Sequence, residues 1–562
     1  MSTNTTELMQ RAMQWINQDP DQETRAELAD LVDRAEKTDQ AALSDLEERF
    51  SGHLTFGTAG LRAEIGAGPM RMNRVVVSHA AHGLGHFLLE KLKPQTPSVV
   101  VGFDARHKSD VFARDTAEVL QGLGINAILL DQHTPTPVVA FAVRHLGVDA
   151  GVMVTASHNP PADNGYKVYL GGDDGGSQIV PPADQMIHQA IMTSHASTSA
   201  TALARASDYQ TIGEDVIAAY IEATTRVVAG RSTAGRESLR ICYTPMHGVG
   251  ASVFHRVLTN TGFTTVIDVA EQVEPDPDFP TVAFPNPEEP GALDLAMATA
   301  TREEADIIIA HDPDADRLAV AVPDGSGSGW HMLSGNEVGA LLAWDITGHR
   351  SDQGGVLGCS LVSSPVLARI AKHRGYQSTV TPTGFKWISR LPDVVFGFEE
   401  ALGYLVNPET VRDKDGISAG LLIAAIAAEQ KAQGNSLTDV LDDLRHTVGG
   451  FASGQISLRF ESPAIAQELM STVRARPEEV FPDLAVDSIT DYEQGTGGFP
   501  PANIVQFDLV SGDRIIMRPS GTEPKLKVYL DSLRPHQTDA DKAVTELTAT
   551  VQGSIDALTA SA

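Results

Sequence analysis

The chain has 562 residues, 42% of them hydrophobic and 20% charged, and its 42 Lys and Arg against 73 Asp and Glu give a formal net charge of −31. That length exceeds what one hydrophobic core can serve, and a prior of roughly 150 residues per domain suggests about four domains of ordinary folded composition. The charge argues against a reader of nucleic-acid phosphates and against attraction to anionic membranes, so an anionic ligand must meet a locally inverted field.

Two cysteines, Cys242 and Cys359, lie too far apart for a metal motif and give no disulfide framework, which suits a reducing compartment. Glu7, Asp19 and Asp21 close to the N-terminus do not resemble a signal peptide, and the longest apolar run, Leu421 to Ala428, is too short to span a bilayer. A cytoplasmic protein with neither nucleic acid nor membrane as a partner is expected.

In chain order, residues 1–50 read as helices, with Leu8, Met9, Ala12, Trp15 and Ile16, then Leu28, Leu31 and Val32, at helical spacing. Phe56-Gly57-Thr58-Ala59-Gly60-Leu61-Arg62 then changes to a glycine-flanked loop ending in a cation, where backbone can approach a ligand closely. Beyond it one unit recurs: a strand (Ser98 to Asp104), a polar loop (Ala105 to Ser109) and an amphipathic helix (Val111 to Leu120). The same order appears at Leu239–Tyr243, Thr244–Gly250 and Ser252–Leu258, and again at Gly355–Cys359, Ser360–Ser364 and Val366–His373. Three related α/β domains follow from this topological repeat, although residue identity between the copies is low.

Thr193 to Ser207 reads as a linker, and Asp324 to Gly329 as a second linker or a hairpin turn. After Gly449-Gly450 the texture becomes alternating strands, among them Ile504–Leu509 and Arg514–Met517, followed by a helix from Ala540 to Leu558. This predicts a smaller α+β domain. The expected divisions are 1–205, 206–328, 329–448 and 449–562.

Five stretches carry chemistry beside this frame. The apolar run Ala150–Val154 stops at Thr155-Ala156-Ser157-His158-Asn159-Pro160, which puts Ser157 on a tight loop at a strand's end, where α/β sheets place ligands. Alone, these residues read more readily as turn and cap formers, and the other motifs of the chain reverse that balance. In His311-Asp312-Pro313-Asp314-Ala315-Asp316-Arg317, carboxylates at alternate positions share one side of an extended segment, and their repulsion calls for a hard divalent cation such as Mg²⁺. An EF-hand fails here because Arg317 stands at the glycine position and Pro323 at the last ligand position.

Arg518-Pro519-Ser520-Gly521-Thr522-Glu523-Pro524-Lys525 offers a guanidinium fork, two hydroxyls and exposed backbone N–H groups, which suits an anion cradle, and no Walker pattern occurs. Thr381-Pro382-Thr383-Gly384-Phe385-Lys386-Trp387 and Gly397-Phe398-Glu399-Glu400-Ala401-Leu402-Gly403-Tyr404 complete the set, with adjacent glutamates suited to accepting hydrogen bonds from sugar hydroxyls.

Taken together and in chain order, from about Phe56 to Tyr529, these motifs resemble those of the α-D-phosphohexomutases, which move a phosphate between the 1 and 6 positions of a hexose. The resemblance implies an α/β fold with four domains around a central cleft: three related α/β domains with mixed sheets and a C-terminal α+β domain. It implies that Ser157 carries the transferable phosphate and that Asp312, Asp314 and Asp316 bind Mg²⁺ together with an oxygen of phosphorylated Ser157. Glu399 and Glu400, with Thr383 and Gly384, would hold the sugar, while Arg518, Ser520, Gly521, Thr522 and Lys525 would hold the phosphate that is not reacting. Arg62, Lys167 and Lys386 would neutralise the phosphoryl group in flight. A sugar bisphosphate such as glucose 1,6-bisphosphate is implied as activator, sugar phosphates as the small-molecule partners, and a monomer or homodimer as the assembly.

The general base stays open among Lys386, His158 and Lys167. His311 reads better as a structural histidine than as part of the machinery, and Arg106, His107 and Ser109 could face the cleft or merely start a helix. Ala401, where many relatives have serine, and Tyr404 point to the branch of glucose-type phosphoglucomutases and phosphopentomutases. The expectation is interconversion of glucose 1-phosphate and glucose 6-phosphate, with mannose or pentose phosphates as the alternative. A phosphatase or a non-catalytic sensor on the same fold are the competing classes.

Overall fold

The computed structural model describes residues 3–57, 60–325, 327, 329–351, 354–519 and 525–561. It divides into two units, one made of 1–332 and 403–433, the other of 333–402 and 434–562. Among the described residues no helix is long and apolar enough to cross a membrane.

The first unit opens with three helices, α1 (Thr3–Gln18), α2 (Gln22–Glu36) and α3 (Gln40–Arg49), whose Leu8, Met9, Ala12, Trp15, Leu28, Leu31 and Val32 are buried in the same core as the sheet that follows. That sheet contains β1 (Leu61–Glu64), β2 (Ser98–Phe103), β3 (Asn126–Leu130), β4 (Ala150–Val154), β5 (Asp163–Leu170), β6 (Ser177–Gln178) and β7 (Gln210–Ile212). Its order is β1-β5-β4-β2-β3-β7, with β6 beside β5. β2, β3, β4 and β7 run parallel, whereas β5 is antiparallel to β4 and β1. Helices α4 (Arg74–Lys91), α5 (Ser109–Gly122), α6 (Thr136–His145) and α7 (Ala183–Ser197) cover it. The expected linker Thr193–Ser207 begins inside α7, because Ile187 and Ile191 bury that helix against α4 and hold it to Ser197; only residues 198–207 of the stretch lack α-helix.

A second sheet, ordered β12-β11-β10-β8-β9, consists of β8 (Arg240–Thr244), β9 (Thr265–Asp268), β10 (Ile307–His311), β11 (Leu318–Pro323) and β12 (Trp330–Leu333). It is accompanied by α8 (Glu214–Thr225), α9 (Ala251–Asn260) and α10 (Asp294–Arg302). Asp324 N donates to Gly329 O at 3.0 Å where β11 and β12 adjoin, and residues 326 and 328 of the expected linker or turn lie outside the described residues.

In the second unit, α11 (Gly335–His349) begins with a full capping box, Ser334 with Glu337. The parallel strands β13 (Val356–Ser360), β14 (Gln377–Thr381) and β15 (Val394–Glu399) follow, with β13 central, interleaved with α12 (Val366–Arg374) and α13 (Phe385–Ile388). The chain then returns to the first unit through β16 (Gly403–Leu405) and α14 (Gly416–Ala432). The apolar run from Leu421 to Ala428 is the centre of α14, a helix buried on all sides that packs on α8, α9, β10 and β11.

After α15 (Leu437–Val448) comes an antiparallel sheet, β17-β21-β20-β19-β18, built from β17 (Gly450–Arg459), β18 (Val486–Asp491), β19 (Val505–Leu509), β20 (Arg514–Pro519) and β21 (Lys525–Arg534). Helices α16 (Pro463–Ala475) and α17 (Gln537–Ser561) pack against it. The mixed sheets of the three α/β domains and the α+β end are as expected.

Candidate active site

In the first unit, Ser157 follows β4 at φ +51, a left-handed conformation that costs a non-glycine residue about 1–3 kcal/mol and persists only where surrounding bonds impose it. Thr155 Oγ1 accepts the Ser157 N–H at 2.8 Å, and Ala156 O accepts the Asn159 N–H at 3.0 Å. The chief restraint is Arg106, which follows β2. Its Nη2 donates to Ser157 O at 2.6 Å and to Asn159 O at 2.5 Å, and its Nη1 to Pro160 O at 2.8 Å and Asp163 O at 3.1 Å. One guanidinium thus ties down four carbonyls of one loop, which decides the question the sequence left open at Arg106.

The Ser157 hydroxyl is buried, donates to Asp312 Oδ2 at 2.8 Å and lies 3.2 Å from His158 Nδ1. Asp312, Asp314 and Asp316 occupy the tight connection between β10 and β11, are buried, and present carboxylate oxygens within 4.8 Å of one another. Asp314 Oδ2 accepts from Thr136 Oγ1 at 2.5 Å and from Lys167 Nζ at 2.6 Å. Lys167 also reaches Asp316 Oδ2 at 2.9 Å, and Lys414 approaches the same oxygen at 3.2 Å.

Burial opposes ionisation of all three carboxyls. At Asp314 and Asp316 the neighbouring cations, Lys167 first, prevail and hold both below the usual carboxylate range. Asp312 is pushed well above it by burial and by Asp314 and Asp316. Asp314 Oδ1 and Asp316 Oδ1 are buried and have no hydrogen-bond partner among the described residues. Anionic oxygens left without donors, in an all-oxygen set beside a hydroxyl, fit a hard divalent cation such as Mg²⁺.

Arg62, on β1 opposite Gly165 of β5, donates to Asn159 Oδ1 at 3.0 Å. Lys167 lies on β5, so the antiparallel β1–β5 pair presents both cations beside the serine loop. His158 is held well below its ordinary value by burial and by the Arg317 and Arg62 charges, so it is neutral near pH 7. His311 is satisfied on both nitrogens, by Tyr243 Oη at 3.1 Å and Gly416 O at 3.0 Å. His107 pairs with Asp278 and Ser109 with Asp104, while Asn164 ties their loop to β5.

In the second unit, the carboxyl ends of β14 and β15 carry the threonine and glutamate motifs. Glu399 Oε1 accepts the Gly384 N–H at 2.8 Å, joining the two sugar-motif loops, with Thr383 beside that junction and Gly384 at φ +109. Glu400 is fixed by the Ser360 and Ser363 hydroxyls at 3.3 and 3.1 Å. Lys386 is buried on α13, with its ammonium 5.6 Å from the centre of the Trp387 ring. Arg518 is the penultimate residue of β20, opposite Lys527, and Lys525 begins β21 and is buried. Ser520, Gly521 and Thr522 lie outside the described residues.

Lys414 and Thr136 complete the aspartate cluster and had no signal in the sequence, because each reaches it from an element remote in the chain.

Phosphoglucomutase/phosphomannomutase family models match four successive stretches: α/β/α domain I over residues 53–198, domain II over 218–326, domain III over 334–448 and the C-terminal domain over 469–541. A Haemophilus influenzae protein named as a probable phosphomannomutase is 47% identical, over 85% of this chain and 96% of its own length. A mouse phosphopentomutase is 33% identical, over 94% of this chain and 90% of its own. Among solved structures, a phosphoglucomutase/phosphomannomutase family protein from Burkholderia thailandensis superposes with a TM-score of 0.68 at 20% identity, covering 90% of this chain and 97% of that one, a likeness of fold. The chain belongs to the phosphoglucomutase/phosphomannomutase family, the α-D-phosphohexomutases, and is a phosphomutase.

Proposed function

We propose that the protein interconverts hexose 1-phosphate and hexose 6-phosphate, with glucose as the preferred sugar, through a phosphoserine at Ser157 and a bisphosphorylated sugar. The observation that carries this reading is the buried Ser157 hydroxyl on Asp312 at 2.8 Å, in a loop fixed by Arg106 and beside three clustered aspartates. A serine held so rigidly can present a phosphoryl group in one direction, as an in-line transfer requires. Asp312, Asp314 and Asp316 would hold Mg²⁺, which when bound supplies the countercharge for the transferring phosphoryl group. Arg62 adds charge at the same loop, and Lys167, engaged by two carboxylates, serves as a neutralising cation instead of a base.

His158 and Lys386 remain as groups that could take the proton of the attacking sugar hydroxyl; His158 is neutral and next to the serine, and Lys386 is the candidate in the second unit. Glu399 and Glu400 would receive sugar hydroxyls, with Thr383 and Gly384 in the same loop pair. Arg518, Ser520, Gly521, Thr522 and Lys525 would hold the distal phosphate, and a sugar bisphosphate would prime the serine.

A pentose phosphate is the second reading, favoured by the mouse relative's name and by Ala401 in the glutamate loop. A panel of glucose, mannose, glucosamine and ribose 1-phosphates, with Mg²⁺ and catalytic glucose 1,6-bisphosphate, separates the two. Ser157→Ala is expected to abolish turnover of all four and to remove the phosphorylated species seen by intact mass. Undiminished activity would refute the assignment of Ser157, and steady release of inorganic phosphate by the wild type would indicate a phosphatase.

A further inference from the structure

Arg514 lies on β20, four residues before Arg518, and its guanidinium makes bonds that the phosphate chemistry does not use. It is held by Asp531 of β21, with Nη2 at 2.6 Å and Nε at 3.2 Å, and Ser453 donates to the other carboxylate oxygen at 2.7 Å. From there Nη1 donates to Leu361 O at 3.0 Å and Nη2 to Ser363 O at 2.7 Å. Both acceptors belong to the loop after β13. The Ser363 hydroxyl accepts the Glu400 N–H at 3.0 Å and lies 3.1 Å from Glu400 Oε2. Leu361 and Val362 pack with Ile516, Tyr529, Ile504 and Tyr492 of the C-terminal sheet.

Residues 514, 516 and 518 of β20 share one face, since side chains alternate along a strand. In order along that face stand the guanidinium that grips the β13 loop, an isoleucine that packs on the same loop, and the arginine of the anion-binding motif. A strand rises about 3.3 Å per residue, so the first and last are about 13 Å apart along a backbone fixed by ladder bonds on both sides. A sheet strand does not stretch.

We propose that Arg514 is a positioning residue and that β20 acts as a ruler, fixing the distance between Arg518 and the sugar-reading Glu400 and thereby selecting sugars by chain length. This rests on the mutase reading above. A hexose phosphate and a pentose phosphate differ by one carbon, about 1.5 Å of reach, and a fitted site resolves one methylene by about 10–200-fold. If the loop is free to slide along the sheet, that discrimination is lost whichever sugar is preferred.

The test compares kcat/KM for glucose 1-phosphate and ribose 1-phosphate in the wild type, Arg514→Met, Arg514→Lys and Arg534→Met. Arg534 pairs with Asp513 at 2.7 Å in the same sheet without donating to the β13 loop, so its variant controls for loss of a comparable ion pair. Arg514→Met is expected to move the hexose-to-pentose ratio at least about tenfold toward unity, mostly through KM, with phosphoserine occupancy at Ser157 unchanged. Arg514→Lys should behave alike, because one ammonium cannot span Asp531 and two carbonyls, and it carries the test if the methionine variant does not fold. Arg534→Met should keep the wild-type ratio. A ratio within twofold of wild type in an active Arg514 variant overturns the ruler, while turnover by the wild type in the same assay leaves the mutase reading standing.

Discussion

At the scale of single residues, the serine loop is held chiefly by a side chain that donates to backbone. Arg106 gives hydrogen bonds to four carbonyls between residues 157 and 163, and no other cation reaches that set among the described residues. Lysine carries the charge but not the fork. Arg106→Lys and Arg106→Met are both expected to lower kcat by roughly a hundredfold, the cost of about 1 Å of misplacement at a reacting centre. The far-UV circular dichroism should stay native, and steady-state kinetics beside it separates this loss from unfolding. The motifs around Ser157 and the three aspartates were legible because their chemistry is local in sequence. Arg106 was not, because nothing in Ala105 to Ser109 says which carbonyls its guanidinium will meet.

Between elements, the contact of α4 with α7 contains a pH-dependent weakness. The rings of His79 of α4 and His195 of α7 meet tilted at 33° with centres 3.8 Å apart, the His53 ring centre lies 4.8 Å from that of His195, and His79 Nδ1 is 2.7 Å from the Ser194 hydroxyl. Burial, then the neighbouring His82 and His53, lowers His79 from 6.5 to about 4, and burial lowers His195 further, to about 2. The unfolded chain takes up protons here as the pH falls below about 6.5, whereas folded His79 stays neutral until about pH 4. Stability is therefore intact above pH 6.5 and declines toward pH 4, by about 3 kcal/mol for His79 alone. Urea unfolding of His79→Gln between pH 4 and 6.5 is expected to show a shallower dependence on pH than the wild type; an identical slope would refute the assignment.

For the molecule as a whole, the first unit is not a continuous piece of chain. Residues 403–433 return to it, and α14 buries thirteen of its seventeen residues there. Burial of Ile417, Leu421, Leu422, Ile423 and Ile426 is worth about 8–15 kcal/mol at 1.5–3 kcal/mol each, as large as the net stability of a typical domain. The same segment brings Gly416 O to His311 and Lys414 to Asp316. A fragment ending at residue 332 is expected to lack a cooperative thermal transition and to bind a hydrophobic dye. Fusing residues 403–433 to it should restore the transition, and cooperative unfolding of the shorter fragment would show that α14 is dispensable.

The periodicities at Ser98–Asp104, Leu239–Tyr243 and Gly355–Cys359 determined the three βα units, because strand and helix faces are written in local apolar spacing. The aspartate spacing and the Ser157 loop likewise determined which residues could carry chemistry. Only the tertiary structure decided what surrounds them: Lys414 on Asp316 from 98 residues away, Thr136 on Asp314 from 178, and Arg514 on the β13 loop from 153 and 151. Hydrogen bonds between distant segments leave no periodic trace in a single sequence, since their partners are set by how sheets and helices pack and not by which residues are neighbours along the chain.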